Sequence, residues 1–290
     1  MAARIADYEY GRVINDILTY GEKKKGRNGN TYSLFAKSMT IYARDAFPII
    51  TSKKVAWKHA IKELLWHLSK DSSNVNALGS AKHLWEKWAD KDGYLTSSYG
   101  RMWRKFPLPD KKIQGEQWAL NEFVVWDKET KGYIFDQIAW LINEIKINPG
   151  SRRLVITAWH PANATVASIP PCQPAFTFNI QGEYLNCFVH ARSQDCALGL
   201  PFDLIAYSAL QQIICQLTGY KKGHLNLTMV DAHIYEEHFE DLAKQISRPK
   251  IDCVPELVIQ PFNNIDELTL DHFDMLDYKS HEAIKYELKS

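Results

Sequence analysis

Phe176-Thr177-Phe178-Asn179-Ile180, the turn Gln181-Gly182-Glu183 and Tyr184 to Val189 alternate apolar with polar residues, and Leu204 to Leu217, after Gly199-Leu200-Pro201, is apolar almost all round. The alternation about a glycine turn predicts a β-hairpin. The all-round apolar run predicts a helix buried on every side. Just upstream, Arg153 to Trp159 is β-branched and apolar, which reads as another strand. Before it, helical spacing at Ile134, Ile138, Leu141, Ile142 and Ile145 is halted by Asn148-Pro149-Gly150. Still earlier, Trp57, Ile61, Leu64, Leu65 and Leu68 place one buried face on a helix over Val55 to Ser69, with Glu63 beside that face. A second helical stretch is expected to end near Trp88, before Lys91-Asp92-Gly93. Between Phe106 and Gly132 periodicity is lost among Pro107, Pro109 and Gly115, which suggests a surface insertion at about 106–132. No repeat and no Pro/Gly/Ser-rich linker divides the chain, so a single α+β layered domain over 1–290 is expected.

At 290 residues and 46% hydrophobic, the chain can bury a sizeable core, and disorder is excluded as its general state. Lys and Arg number 35 against 34 Asp and Glu, a net charge of +1, so no uniform field draws polynucleotide or anionic lipid. Direct nucleic-acid binding is not expected. Met1 to Tyr10 carries Arg4, Asp7 and Glu9, which does not read as a secretory signal, and no apolar run approaches the ~18 residues of a membrane span. The five cysteines are scattered without a C-x-x-C pair, which suits a reducing compartment, and a cytoplasmic protein is expected.

Phosphate-loop, dinucleotide and nucleophile-elbow motifs are absent. His233 and His238 are five apart, the wrong interval for two ligands on one helical face, and no metal is expected. A cysteine and a set of arginines remain. Cys172 follows Pro170-Pro171, which fix the backbone just ahead of a strand. Alone it reads more readily as an inert small hydrophobe than as a reactive thiol. Arg152-Arg153 and Arg192-Ser193 stand at strand ends, suited either to clasping a phosphate or to ordinary surface ion pairs.

Read together, Pro171-Cys172, Arg192-Ser193-x-Asp195, Leu198-Gly199-Leu200-Pro201-Phe202 and Asp231-x-His233-x-Tyr235 resemble the thymidylate synthase family in order and spacing. The resemblance extends through Arg27, Glu63-Leu64-Leu65-Trp66, Trp85-Glu86-Lys87-Trp88, Tyr99-Gly100 and Ser151-Arg152-Arg153 to about Tyr278, nearly the whole chain. It implies a thymidylate synthase-like layered fold, a mixed β-sheet with surrounding helices and a buried central helix, in a homodimer. The implied chemistry is transfer of a one-carbon unit from 5,10-methylenetetrahydrofolate to C5 of a pyrimidine nucleotide. Cys172 matches the nucleophile, whose addition to C6 turns C5 into an enamine-like carbon. Arg192 then serves as activator of the thiol and as phosphate ligand. Arg27, Arg192 and Ser193 match phosphate ligands of one subunit, and Arg152 and Arg153 match those lent by the other. His233 and Tyr235 match groups on the sugar 3′-hydroxyl. Glu63 matches the carboxylate that organises water and proton transfers, a role helped by a raised pKa. Asp195, Trp85, Gly199 and Lys53 match folate contacts, and Tyr99 a tyrosine near the nucleophile.

Three departures bear on the substrate. Where the synthases place an Asn that reads uracil, this chain has Asp203. A carboxylate only accepts hydrogen bonds, which suits the 4-amino group of cytosine and an N3 protonated during reaction, and it repels the uracil O4. Alternatively Asp203 caps the helix beginning at Leu204. The same Asn-to-Asp change marks bacteriophage-type deoxycytidylate hydroxymethylases, which the chain resembles more than it does a synthase. Gln173 replaces the His that follows the nucleophile, and the last residues given, Tyr286-Glu287-Leu288-Lys289-Ser290, are polar where the synthases carry a small apolar tail that seals the folate site. A wetter site favours hydration of the methylene intermediate, hence a hydroxymethyl product. The expected activity is therefore a dCMP 5-hydroxymethyltransferase. The alternatives are a dCMP C5-methyltransferase, thymidylate synthase acting on dUMP, and a non-catalytic nucleotide-binding regulator.

Overall fold

Gly182, at φ 59°, turns the chain between strands Ala175–Gln181 and Tyr184–Ala191, which pair antiparallel with Gln181 opposite Tyr184, so the predicted hairpin is present. The computed structural model describes residues 2–42, 44, 46–70, 72–95, 98–108 and 121–289. Two compact units are distinguished, Met1–Leu64 with Cys172–Ser290, and Leu65–Pro171. In chain order the elements are α1 (Ala2–Tyr20), β1 (Glu22–Gly26), β2 (Gly29–Tyr42), α2 (Trp57–Leu68), α3 (Tyr99–Arg104), β3 (Phe106–Pro107), β4 (Val124–Asp127), β5 (Gly132–Phe135), α4 (Gln137–Ile147), β6 (Val155–Thr157), α5 (Pro161–Ala164), β7 (Ala175–Gln181), β8 (Tyr184–Ala191), β9 (Gln194–Asp195), α6 (Gly199–Thr218), β10 (Lys221–Tyr235), α7 (Phe239–Ser247), β11 (Glu256–Ile259) and β12 (Phe273–Leu276).

In the first unit β1, β2, β10, β8 and β7 lie side by side in that order, and β9 also pairs with β10. β10 runs antiparallel to β2 and parallel to β8 and β9, so the sheet is mixed. The central helix α6 packs on β8, β9 and β10. Leu204, Ile205, Leu210, Ile213 and Ile214 are fully buried there, each contributing roughly 1.5–3 kcal/mol through removal of apolar surface from water. The polar side chains of Ser208 and Gln211 share that interior. Gln211 donates from Nε2 to the carbonyls of Leu185 (2.7 Å) and His224 (3.1 Å), at the register shift between β8 and β10 near Lys222 and Leu225. The shift leaves backbone groups out of the ladder, and the buried amide supplies what they lack. On α1, Ala6, Tyr10, Val13, Ile14 and Ile17 repeat at helical spacing and are buried on β2, β10 and α7.

In the second unit α3 lies against the end of α2, where Gly100 leaves no room for a side chain, since a Cβ there would stand 2.1 Å from the His67 carbonyl oxygen. Arg104 is buried and pairs with Asp136 at 3.0 Å, and it also donates to the Leu68 carbonyl. Asp136 in turn caps α4 by accepting from the Ala139 N–H at 3.0 Å. That cap explains why Ile134, read from its spacing as helical, belongs to β5 instead. The stretch expected as a second helix consists of 3-10 turns at Val75–Leu84 and Glu86–Trp88, interrupted at Gly79 by a positive φ of 54°. In the expected insertion, residues 109–120 lie outside the described residues. Its flanks form a small antiparallel sheet in the order β3-β5-β4.

The fold is α+β with a mixed sheet, surrounding helices and a buried central helix, as the sequence predicts. Among the described residues no helix is long and apolar enough to cross a membrane. Nor, among them, is any group of three or more His, Cys, Asp or Glu placed to hold a metal ion.

Candidate active site

Cys172 enters the first unit directly after Pro170-Pro171 and is half-buried. Two bonds from one residue hold it. The Arg192 backbone N–H donates to the Cys172 carbonyl at 2.8 Å, and Arg192 Nη2 reaches the sulfur at 3.8 Å. Arg192 stands immediately past the end of β8, so the strand carries its guanidinium to the thiol. Ser193, half-buried, follows it.

Next to the nucleophile candidate lies a closed set of two amides and a carboxyl. Gln194 donates to Asp203 Oδ2 at 2.6 Å and Gln173 to the same oxygen at 3.0 Å. The Gln173 amide also donates to Gln194 Oε1 at 3.2 Å. Burial pushes the Asp203 carboxyl up from 3.8 to about 7; the Gln194 hydrogen bond opposes this, and the negative charges of Glu63 and Asp195 add to it. The helix α6 starts at Gly199, before Leu204, so Asp203 lies past its first turn and does not cap it, and its hydrogen bonds go to the glutamines instead. Glu63, half-buried on α2, is thus brought electrostatically within reach of Asp203. Tyr207, one turn further along α6, is held protonated by burial first, and Asp203, Cys172 and Glu63 all add to the effect. The sequence reading overlooked Tyr207, although its position four residues after Asp203 on a helix puts it on the same face.

A second cluster adjoins Asp195, whose Oδ1 accepts from the N–H groups of Ala197 (2.8 Å) and Leu198 (3.2 Å). Lys53 donates to the Ala197 carbonyl at 2.8 Å, and burial pulls its ammonium down to about 8 against the opposing attraction of Asp195. The same ammonium lies 4.5 Å from the ring centroid of Tyr286. Tyr286 is buried, packs edge-on to His238, and donates its hydroxyl to Gln245 at 2.8 Å. The polar closing residues are therefore anchored by an aromatic ring, a feature their composition does not reveal. Gly199 keeps space open beside Asp195, since a Cβ there would stand 3.1 Å from Gln194 Nε2 and 3.9 Å from Asp203 Oδ2.

β10 supplies the remaining candidates. His233 pairs across the sheet with Ser33 on one side and Asp195 on the other, and Tyr235 pairs with Thr31. Burial raises the Tyr235 phenol, the charges of Asp195 and Cys172 add to this, and Asn28 and Arg27 oppose it. Arg27, in the turn between β1 and β2, is thereby placed near Tyr235 and donates to Asn28 at 3.0 Å.

The family profile of thymidylate synthase matches residues 8–290. The chain belongs to the thymidylate synthase family. It is 40% identical over 227 residues to a protein of Haloferax volcanii named thymidylate synthase, an alignment covering 77% of this chain and 65% of the relative. The chain thus matches slightly less than two-thirds of that relative's length.

Within this thymidylate synthase family member the first unit gathers Cys172, Arg192, Ser193, Asp195, Gly199, Asp203, Glu63, Lys53, Arg27, His233 and Tyr235. Trp85, Tyr99, Arg152 and Arg153 belong to the second unit. There Trp85 and Tyr99 are buried edge-on to each other, around His67, which burial pulls down to about 3 and so keeps neutral. Arg152 and Arg153 are exposed.

Proposed function

We propose that this chain transfers a one-carbon unit from 5,10-methylenetetrahydrofolate to C5 of dCMP and releases 5-hydroxymethyl-dCMP. The observation that carries the reading is Asp203. Its Oδ2 is taken by the two glutamine amides, and among the described residues no hydrogen bond engages Oδ1. An ionised Oδ1 accepts from the 4-amino group of cytosine and from N3 once it is protonated, whereas the uracil O4 offers it only another lone pair. An unpaired buried polar group is costly, so the ionised form of Asp203 discriminates strongly.

Arg192 places positive charge against the sulfur that must become anionic to attack C6. Addition at C6 makes C5 nucleophilic. The folate residues fit their ligand, with Lys53 as a cation for a carboxylate tail, Asp195 as an acceptor for ring N–H groups and Gly199 leaving space, and Trp85 is added to this set by the resemblance. When bound, the folate supplies the one-carbon unit at the oxidation level of formaldehyde. Glu63 organises the water that completes the product, Arg27, Arg192 and Ser193 hold the phosphate, and His233 and Tyr235 hold the sugar hydroxyl. Tyr99 is added to the catalytic set by the resemblance alone.

A homodimer follows from the same reading, with Arg152 and Arg153 of each subunit serving the phosphate of the other. The outward face of the sheet supports it. Tyr42 on β2 and Phe188 on β8 are 53% and 44% exposed there, and Asn226 bonds to Thr40 and Ser38 between them. A second copy would bury this face.

The test is to incubate dCMP, CMP and dUMP separately with methylenetetrahydrofolate and weigh the nucleotides by mass spectrometry. The expected result is dCMP gaining one CH₂O unit, with Asp203→Asn moving the preference toward dUMP. Conversion of dUMP alone would overturn the reading in favour of a thymidylate synthase, and conversion of nothing would favour a binding regulator. A second reading, a dCMP C5-methyltransferase, is favoured by the Tyr286 anchor, because a site that excludes water directs the methylene intermediate to reduction by hydride. Dihydrofolate absorbance during dCMP turnover would select it.

A further inference from the structure

We propose that Gln173 and Gln194 act together as positioning residues that choose the pyrimidine, by occupying one oxygen of Asp203 and presenting only the other to the base. The proposal rests on the preceding reading, in which the base lies against Asp203.

A carboxylate oxygen offers two in-plane lone pairs, and Oδ2 accepts from both Gln194 (2.6 Å) and Gln173 (3.0 Å). A proton taken up by Asp203 therefore resides on Oδ1. Ionised, Asp203 shows the base an acceptor, which fits an amino group. Protonated, it shows a donor, which fits the keto oxygen of uracil. Whichever groups favour the anion thus favour the cytosine-type ring. Against ionisation stand burial, Glu63 from α2 and Asp195 from β9, with the phenol of Tyr207 on α6 and the thiol of Cys172 close by. In favour of it stand the two amides.

The orientation of the pair is fixed from within. Gln173 shares its Nε2 between Asp203 and Gln194 Oε1 at 3.2 Å, which turns the Gln194 amide so that its nitrogen faces the carboxyl. Both glutamines are buried, so water cannot substitute for a lost donor without entering the site. The two come from different elements, Gln173 from the segment before β7 and Gln194 from β9. Loss of either donor would leave the carboxyl free to turn.

The test uses the intact enzyme with Gln194→Met and Gln173→Met, which remove the donor while keeping side-chain length. Two quantities are followed between pH 6 and 9: titration of the Asp203 carboxyl by infrared difference against Asp203→Asn, and kcat/KM for dCMP and dUMP. Each variant is expected to raise the titration midpoint by about one pH unit, a tenfold change in proton affinity. The acid limb for dCMP should move with it, and the preference for dCMP over dUMP at pH 7 should fall about tenfold and return at pH 9. Gln173→His, which retains a ring N–H donor, should restore the wild-type profile. If titration and preference stay unchanged in both Met variants, the pair is mere packing and the inference is overturned. If titration shifts but the wild type prefers dUMP at every pH, the glutamines do control Asp203 and it is the dCMP reading that falls.

Discussion

Arg192 holds Cys172 at both ends, its N–H on the cysteine carbonyl at 2.8 Å and its guanidinium against the sulfur at 3.8 Å. The backbone bond survives any change of side chain; the charge does not. Arg192→Lys keeps a cation but loses the planar fork, and should lower kcat while leaving the fold intact. Cys172→Ser should abolish turnover, by on the order of 10⁴-fold or more, while nucleotide affinity measured by calorimetry stays within a few-fold of wild type. Residual turnover near the wild-type rate would show that the sulfur is not the nucleophile.

Stability should depend on pH through Asp203. Its carboxyl is raised from 3.8 to about 7 in the folded protein, so the folded state holds a proton that the unfolded chain has released between those values. The stabilisation is fully present below pH 3.8 and is lost as pH rises through about 7. Asp203→Asn removes that loss. The variant should gain on the order of 1–4 kcal/mol relative to wild type at pH 8 compared with pH 4, read by urea unfolding at both. An equal difference at the two pH values would mean that Asp203 titrates normally.

Tyr286 joins Lys53 to Gln245 through its ring and its hydroxyl. Tyr286→Phe should lose only the hydroxyl contact, and Tyr286→Ala both. The KM for methylenetetrahydrofolate should rise roughly 3-fold in the first and 10- to 30-fold in the second, with the KM for the nucleotide unmoved. A change confined to the nucleotide would place this cluster outside folate binding.

If Arg152 and Arg153 serve the phosphate of the other subunit, two crippled proteins should repair each other. Cys172→Ser and the double variant Arg152→Ala/Arg153→Ala, each close to inactive, should recover activity when mixed and allowed to exchange subunits, because a hybrid holds one intact site. No recovery, in a mixture shown by mass spectrometry to contain hybrids, would confine each site to its own chain.

Sequence periodicity located the hairpin, the buried helix α6 and most of α2, because in each the apolar pattern follows a single rule. It missed α1, whose buried stripe of Tyr10, Val13, Ile14 and Ile17 is interleaved with charges. It also missed β2 and β10, 14 and 15 residues long; in β10 the buried positions run from Gly223 to Met229 on one parity and switch at Ala232 and Ile234 to the other. Near Ala36, at φ 55°, the pairing skips from Lys37 to Phe35, a local irregularity that no alternation rule anticipates. For the candidate site, ordered motifs single out Cys172, Arg192 and Asp203 in the sequence. They do not single out Gln194, since its importance arises only when β9 and the start of α6 bring it onto Asp203. Tyr286 was read only as part of a polar stretch for a similar reason, its partners Lys53 and Gln245 lying far away along the chain.

Gly100 sits so close to the His67 carbonyl that a methyl group would come within 2.1 Å of the oxygen. The neighbouring Tyr99 therefore owes its placement to a side chain that Gly100 lacks. Even alanine at this position would wedge two helices apart and displace an aromatic ring that is itself unaltered.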